Sequence, residues 1–326
     1  MAILVCGGAG YIGSHMVDAL LEKGYETIVA DNLDMGHKAA VRPEAVFYEA
    51  NILDSSAMDK IFAAHNIEAV VNFAAVMRVA ESVENPAKYY KNNVAGILTL
   101  LDLMQKYKVK KLVFSSSASV YGVPEHVPLT EDMQTGPINP YAETKLAAEK
   151  IFKWYEGAYG LKYVALRYFN VAGAHVSGKI GEDHKPETHL IPMCIQAAQG
   201  KIPFLELYGD DYPTADGTCI RDYVHVMDLV DAHILALESD KSGVIYNLGS
   251  QSGFSNKEII NMVKKITKTD FPVEVHDRRP GDPPILVASS EKIRKELGWN
   301  PTRTTIETIV STAWAWHTAF PDGYGD

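Results

Sequence analysis

Along the first 170 residues, short and nearly uninterrupted apolar runs alternate with longer stretches in which apolar positions recur every three or four residues. The runs, at 2–6, 27–30, 46–48, 69–73, 111–115 and 163–167, are rich in Val, Ile and Ala, the pattern of strands buried on both faces. The amphipathic stretches predict helices over 11–23, which Gly24 stops, over 56–64 behind Asp54, over 86–107, and over 141–159, closed by Gly160. Helices between successive strands imply crossover connections and parallel pairing, so the expected class is α/β.

After residue 170 the pattern loosens. Gly173, Gly178, Gly181, Pro186, Gly209, Pro213 and Gly217 punctuate loops around a predicted helix at 190–199. Regular elements return as a helix at 227–238, a strand at 244–248 and closing helices at 290–297 and 306–317. We therefore expect one unit over 1–169 and a second, smaller mixed α/β unit over 170–326, with elements near 219–248 returning to the first sheet. No internal repeat, low-complexity tract or long linker interrupts this arrangement.

Composition narrows the partners. With 31 Lys+Arg against 41 Asp+Glu, the 326-residue chain carries a formal charge of −10, and no Lys or Arg run exceeds a pair such as Lys110-Lys111. That balance argues against nucleic acid and anionic membranes. No apolar stretch reaches the roughly 18 residues of a membrane helix, and no targeting segment is evident. Cys6, Cys194 and Cys219 are odd in number, far apart and without metal-ligand spacing. Free thiols, a reducing cytoplasmic setting and no metal site are the expectations.

Gly7-Gly8-Ala9-Gly10-Tyr11-Ile12-Gly13 follows the first predicted strand and opens the first helix, the context that a dinucleotide fingerprint requires. Without Cβ, Gly7 can make the tight turn, Gly10 admits a pyrophosphate and Gly13 lets helix pack on strand; the helix N-terminus then faces the anion. Asp31 lies about 20 residues on, at the end of the second strand, where a carboxylate can accept from both ribose hydroxyls. It would repel a 2′-phosphate and no Arg adjoins it, which favours NAD over NADP. Asn51 and Ile52, after the third strand, would lie near the adenine. The fold expectation sharpens to a Rossmann-type doubly wound parallel sheet. The bland readings are a glycine loop of no consequence and, for Asp31, a solvated turn.

Tyr141 and Lys145, four apart on a predicted helix, share one face, so the ammonium can stabilise a phenolate. A phenol of ordinary pKa ~10 is a poor base at neutral pH without such help. The pair Tyr107 and Lys111 has the same spacing, but there a helix end should simply run into a strand. The Tyr141 copy follows Asn139-Pro140 at a helix start, and Ser115-Ser116-Ser117 ends a strand earlier, where a hydroxyl could hydrogen-bond a substrate oxygen. Otherwise Tyr141 is an ordinary half-buried aromatic. Arg221, Arg278 and Arg279 are concentrated cations in an acidic chain and suit an anionic nucleotide, although each could be a surface ion pair.

Here the chain resembles the extended short-chain dehydrogenase/reductase family, on its nucleotide-sugar branch, over essentially its whole length. The stretches that carry the resemblance are Gly7–His15, Asp31-Asn32-Leu33, Asn72-Phe73-Ala74-Ala75, Tyr89–Val94, Phe114–Gly122, Pro140–Lys145, Leu166–Asn170, Arg221–Val226 and Tyr246–Gly249. The resemblance implies inversion of carbon 4 of a UDP-hexose, interconverting UDP-glucose and UDP-galactose through a transient 4-keto sugar, with NAD reduced and reoxidised in place. It makes Tyr141 the acid/base, Lys145 its tuner and a nicotinamide-ribose contact, and Ser117 the group that holds the 4-oxygen. Tyr11, Ile12, Asn32, Phe73, Ala74, Ser115 and Tyr168 would line the cofactor, and Asn92 would bind it or order a water behind the catalytic helix. Phe169, Asn170, His189, Leu190, Tyr208, Arg221, Arg279 and Asp282 would hold the UDP-sugar. A homodimer through 86–107 and the Tyr141 helix is implied by the same resemblance.

Three positions depart from the family pattern. Met77-Arg78 stands where some members carry a Lys against the cofactor. His189 replaces an Asn near the diphosphate, or merely packs beside Pro192. Leu286 stands at the hexose edge, which leaves N-acetylated sugars open. Other activities remain as alternatives: epimerisation of UDP-N-acetylglucosamine or UDP-glucuronate, decarboxylation, or a catalytically silent NAD sensor. A 4,6-dehydratase is disfavoured because Ala118-Ser119 takes the place of its Asp-Glu pair.

Overall fold

The computed structural model describes residues 1–279 and 282–325. The first half alternates as the apolar pattern requires: β1 (Ala2–Cys6), α1 (Tyr11–Glu22), β2 (Glu26–Asp31), β3 (Val46–Glu49), α2 (Ser55–Ala64), β4 (Ile67–Asn72), α3 (Val79–Glu84), α4 (Pro86–Tyr89), α5 (Gly96–Lys106), β5 (Lys111–Ser117), α6 (Pro140–Tyr159) and β6 (Lys162–Tyr168). There follow β7 (Asn170–Ala172), α7 (Leu190–Ala198), β8 (Leu205–Tyr208), β9 (Ile220–His225), α8 (Val226–Glu238), β10 (Val244–Leu248), β11 (Gly253–Ser255), α9 (Asn256–Thr267), β12 (Val273–His276), β13 (Ile285–Leu286), α10 (Glu291–Leu297) and α11 (Ile306–Ala319).

Seven strands form one parallel sheet in the order β10-β6-β5-β4-β1-β2-β3. Order reverses on either side of β1 and β4, the doubly wound topology expected from the sequence. Each face buries its own apolar cluster. Leu4, Ile28, Val70, Leu112 and Ala165 meet α2, α5 and α6 on one side; Ile3, Val5, Val29, Val71 and Leu166 meet α1 and α8 on the other. A third cluster joins α7, α9 and α11 to β8 and β9. There β9 pairs antiparallel with β11 and parallel with β7 and β13, while β8 pairs parallel with β12.

The helix expected at 86–107 is interrupted. Asn85 caps Pro86–Tyr89, a wider π-helical segment spans Tyr90–Ala95, and α5 continues from Gly96. The widening accompanies an inward Asn93, whose side chain donates to Val76 O (2.9 Å) and Thr144 Oγ1 (3.0 Å) and accepts from Val76 N (2.9 Å). By contrast, Tyr107 caps α5 and Lys111 opens β5, as expected of that Tyr/Lys pair.

α6 is placed with particular care. Asn139 caps it by accepting from Ala142 N, Pro140 takes its first position, and Gly160 ends it in the left-handed conformation at φ 68°. From its interior, Glu149 receives Arg167 of β6 through two bonds, Nε at 2.9 Å and a terminal nitrogen at 2.6 Å, and Ser116 Oγ of β5 at 2.5 Å. Both charged side chains are almost wholly enclosed. Breaking such a pair on one side strands the other charge. Glu149→Ala should therefore cost about 3–5 kcal/mol in urea unfolding, far more than loss of an exposed ion pair such as Lys265–Glu307.

Candidate active site

The carboxyl ends of the parallel strands bring the predicted cofactor residues to one edge. Gly7 has φ +77°, and a Cβ there would meet Ala74 N at 2.6 Å; one on Gly13 would meet Gly7 O at 2.0 Å. These two glycines allow turn, strand end and helix to touch. On Gly10 a Cβ would find nothing nearer than Gly7 O at 3.5 Å, so its outer side is open. Gly10 also caps α1 without any side-chain hydrogen bond, and the first turn carries no acid. An uncapped helix start beside an open glycine is a cradle for an anion, and it fits a dinucleotide pyrophosphate.

Asp31 ends β2 with Oδ2 accepting from Ala9 N and Oδ1 from Leu33 N, both at 2.9 Å. Each oxygen keeps a second lone pair for a ribose hydroxyl. Burial raises this carboxyl above its ordinary pKa, opposed by those backbone donors. Asn32 is exposed and donates to Asp34, while Asn51 accepts from Leu53 N. Ile52 is a core residue packed on Gly96, and the Phe73 ring faces His233. The backbone of Phe73 and Ala74 donates to Cys6 O, which closes the floor beneath the turn. Asn92 donates to Lys88 O within its own helical stretch; the link to α6 falls on Asn93 instead.

Tyr141 and Lys145 rise from the first turns of α6 against the end of β5. The buried Lys145 ammonium donates to Ser115 O at 2.8 Å and lies 5.8 Å from the Tyr141 ring centroid and 5.0 Å from that of Phe114. Burial pushes the Tyr141 phenol above its ordinary pKa, and hydrogen bonding with Ser117 pulls it back. Ser117 Oγ also accepts from Ser119 N and Ser119 Oγ, and Ser115 Oγ bonds Tyr168 OH. Lys145 itself is lowered to about 7, by burial first and against the attraction of Glu149. The ammonium thus faces the Tyr141 ring, while the hydrogen bond that lowers the phenol comes from Ser117 and Lys145 is tied to the Ser115 carbonyl.

The second unit contributes from β7, β9 and the loops. Asn170 Nδ2 donates to Asp222 O, and Arg221 pairs with Asp282 at 2.5 Å. The Arg279 guanidinium stacks 4.0 Å from the Tyr208 ring centroid, while Tyr208 OH donates to Glu206. Phe169 and Leu286 share a small cluster with Val120, Tyr121 and Leu146. Leu190 begins α7; His189 takes the N-cap position without a side-chain cap bond, its ring held 2.8 Å from Glu182 and 3.0 Å from Glu187. Met77 is partly exposed, and Arg78 reaches Lys185 O at 2.9 Å.

The family model described as the NAD dependent epimerase/dehydratase family matches residues 3–249. The chain belongs to that family. A UDP-glucose 4-epimerase of Streptococcus mutans is 52% identical over 331 residues, covering 100% of this chain and 99% of the relative. A crystal structure of a UDP-glucose 4-epimerase superposes at TM-score 0.97 with 49% identity, covering 99% of each chain. A second, the UDP-glucose 4-epimerase of Bifidobacterium longum in complex with NAD+ and UDP, gives TM-score 0.95 and 40% identity over 99% of this chain and 100% of that one.

Two features of this epimerase/dehydratase chain escaped the sequence reading. Asn93, buried and tied to Thr144, was overshadowed by its neighbour Asn92. Glu182, His184, Glu187 and His189 form a compact cluster. Their signal in the sequence is the Glu-x-His-x-x-Glu-x-His spacing, which no cysteine shares.

The depressed Lys145 value fixes a stability trend. Above pH ~10.4 both folded and unfolded chains hold this lysine neutral; between ~10.4 and about 7 the unfolded chain takes up a proton and the folded chain does not. The folded state therefore loses stability as pH falls through that window. In cofactor-free protein, urea midpoints of Lys145→Met relative to wild type should be most favourable near pH 7 and decline toward pH ~10. A difference independent of pH would contradict the lowered value.

Proposed function

We propose that the protein inverts C4 of a UDP-hexose, interconverting UDP-glucose and UDP-galactose. The observation that carries this reading is Tyr141, Lys145 and Ser117 gathered at the end of β5 beside the open glycine turn. It is joined to membership of a family whose full-length relatives are UDP-glucose 4-epimerases.

The glycine turn, the start of α1, Asp31 and Lys145 would hold NAD. When bound, NAD supplies the acceptor and later the donor of the C4 hydride. Tyr141 takes the proton of the C4 hydroxyl as the C4–H bond breaks, leaving a 4-keto hexose, and returns it to O4 when the opposite face is reduced. Ser117 hydrogen-bonds O4 through both steps. Lys145, lowered to about 7 in the protein without its cofactor, offers the ring that must bear negative charge a proton-bearing neighbour near neutral pH. Arg221 with Asp282, Arg279 on Tyr208, and Asn170 grip the UDP, so the sugar can turn while its nucleotide stays fixed.

Cytoplasmic residence and a homodimer belong to the same reading. The three cysteines are buried and unpaired. No helix among the described residues is long and apolar enough to cross a membrane. Leu98 of α5 and Trp154 of α6 are exposed, Trp154 by 78%, and are the apolar side chains on these helices that a second copy would cover. Trp154→Glu should shift sedimentation toward monomer.

Tyr141→Phe should lower kcat by about 10²–10⁴-fold while UDP binding persists. Near-normal turnover would remove Tyr141 from its role. Wild-type protein given UDP-galactose should form UDP-glucose without stoichiometric NADH; net NADH would mark a dehydrogenase instead.

A further inference from the structure

The loop between β7 and α7 folds four potential ligands together. One donor atom each from Glu182, His184, Glu187 and His189 lies within 4.8 Å of every other. His189 Nδ1 stands 2.8 Å from Glu182 Oε1 and 3.0 Å from Glu187 Oε1. His184 Nδ1 stands 3.1 Å from Glu182 Oε1 and 3.7 Å from Glu187 Oε2. A tetrahedral site with bonds of ~2.0–2.1 Å has ligand–ligand edges of about 3.4 Å, which these four separations bracket.

Burial makes the arrangement unusual. The Glu182, Glu187 and His184 side chains are only 5%, 3% and 8% exposed. Carboxylates so stripped of water need positive charge; among the described residues no Lys or Arg pairs with either glutamate, so the two imidazoles supply it as imidazolium, and a divalent ion would take the place of their protons. His184 Nδ1, enclosed beside these oxygens, lies 3.1 Å from Glu182 Oε1 yet lacks the alignment of a hydrogen bond. The backbone supports the same convergence, since Thr188 N and His189 N donate to Glu187 Oε1 at 2.6 and 2.8 Å and hold that carboxylate inward.

We propose that this loop binds a divalent transition-metal ion of the zinc type through His184 Nδ1, His189 Nδ1 and the carboxylates of Glu182 and Glu187. Two imidazoles with two carboxylates form an N/O donor set suited to such an ion rather than to magnesium or calcium, which favour oxygen alone. The site is structural. The His184 ring lies edge-on to Tyr11 at 6.4 Å, and Tyr11 OH donates to Gly173 O at 2.6 Å. An ion there fastens the entry to α7 against the first turn of α1, bridging the two units beside the cleft. The site does not depend on the proposed epimerisation, and either can fail without the other.

The test uses full-length protein, stripped with a chelator and titrated with zinc chloride by calorimetry. Wild type should take up one Zn2+ per chain, and Co2+ in its place should show the visible bands of a four-coordinate ion. His184→Gln and Glu182→Gln should each weaken zinc binding by at least about 100-fold and abolish the Co2+ bands. His126→Gln, an exposed histidine elsewhere, should change nothing. Circular dichroism establishes that each variant is folded. Absence of stoichiometric zinc uptake by wild type would overturn the proposal, leaving imidazolium–carboxylate pairing as the whole content of the cluster. Binding by both folded ligand variants as tight as wild type would overturn it equally.

Discussion

A buried lysine, its amine lowered to about 7, sets the terms for the rest of the molecule. Lys145 can sit in the interior only because a strand carbonyl receives it, two aromatic rings flank it and a carboxylate one turn along its helix attracts it. Each of those partners belongs to an element whose own position must be fixed. The carbonyl comes from the end of β5, the rings from β5 and α6, and the carboxylate is the one clamped by Arg167. The Glu149–Arg167 pair is thus part of the same arrangement, holding helix to sheet at the place where Lys145 would otherwise be too costly to keep.

The proposed binding divides between the two units in physical terms. The parallel sheet ends in backbone groups and small residues, a surface shaped for close approach to a flat, phosphorylated molecule. The second unit offers guanidinium groups already committed to partners, Arg221 to Asp282 and Arg279 to Tyr208. Side chains that are held before a ligand arrives lose less freedom on binding it.

Most of the large sheet was legible because both of its signals are local. Apolar runs marked β1 through β6 and β10 to within a residue or two, and caps such as Asp54, Asn139 and Gly160 marked helix ends. The short strands β7, β8, β9, β11, β12 and β13 were not visible, since they pair across long sequence separations and are half-exposed or only two to six residues long. α9 was missed despite a readable signal: Ser255 and Glu258 form a reciprocal capping box ahead of Ile259, Ile260 and Val263. At the site, the glycine turn, Asp31 and the Tyr141–Lys145 helix could be located from spacing and context. The choice of Asn93 over Asn92 could not, because it hangs on a local widening of the helix that no periodicity announces.

One strand arrives late. β10 completes the edge of the large sheet by pairing with β6, yet between them the chain builds β7, α7, β8, β9 and α8. On the ribosome, the amino-terminal half therefore emerges with the flank of β6 uncovered and must wait some 80 residues of synthesis for its last neighbour, an interval when an open strand edge invites misassembly. Cutting the gene near residue 170 would leave neither fragment whole, because one would lack its border strand and the other would carry it with nothing to lie against.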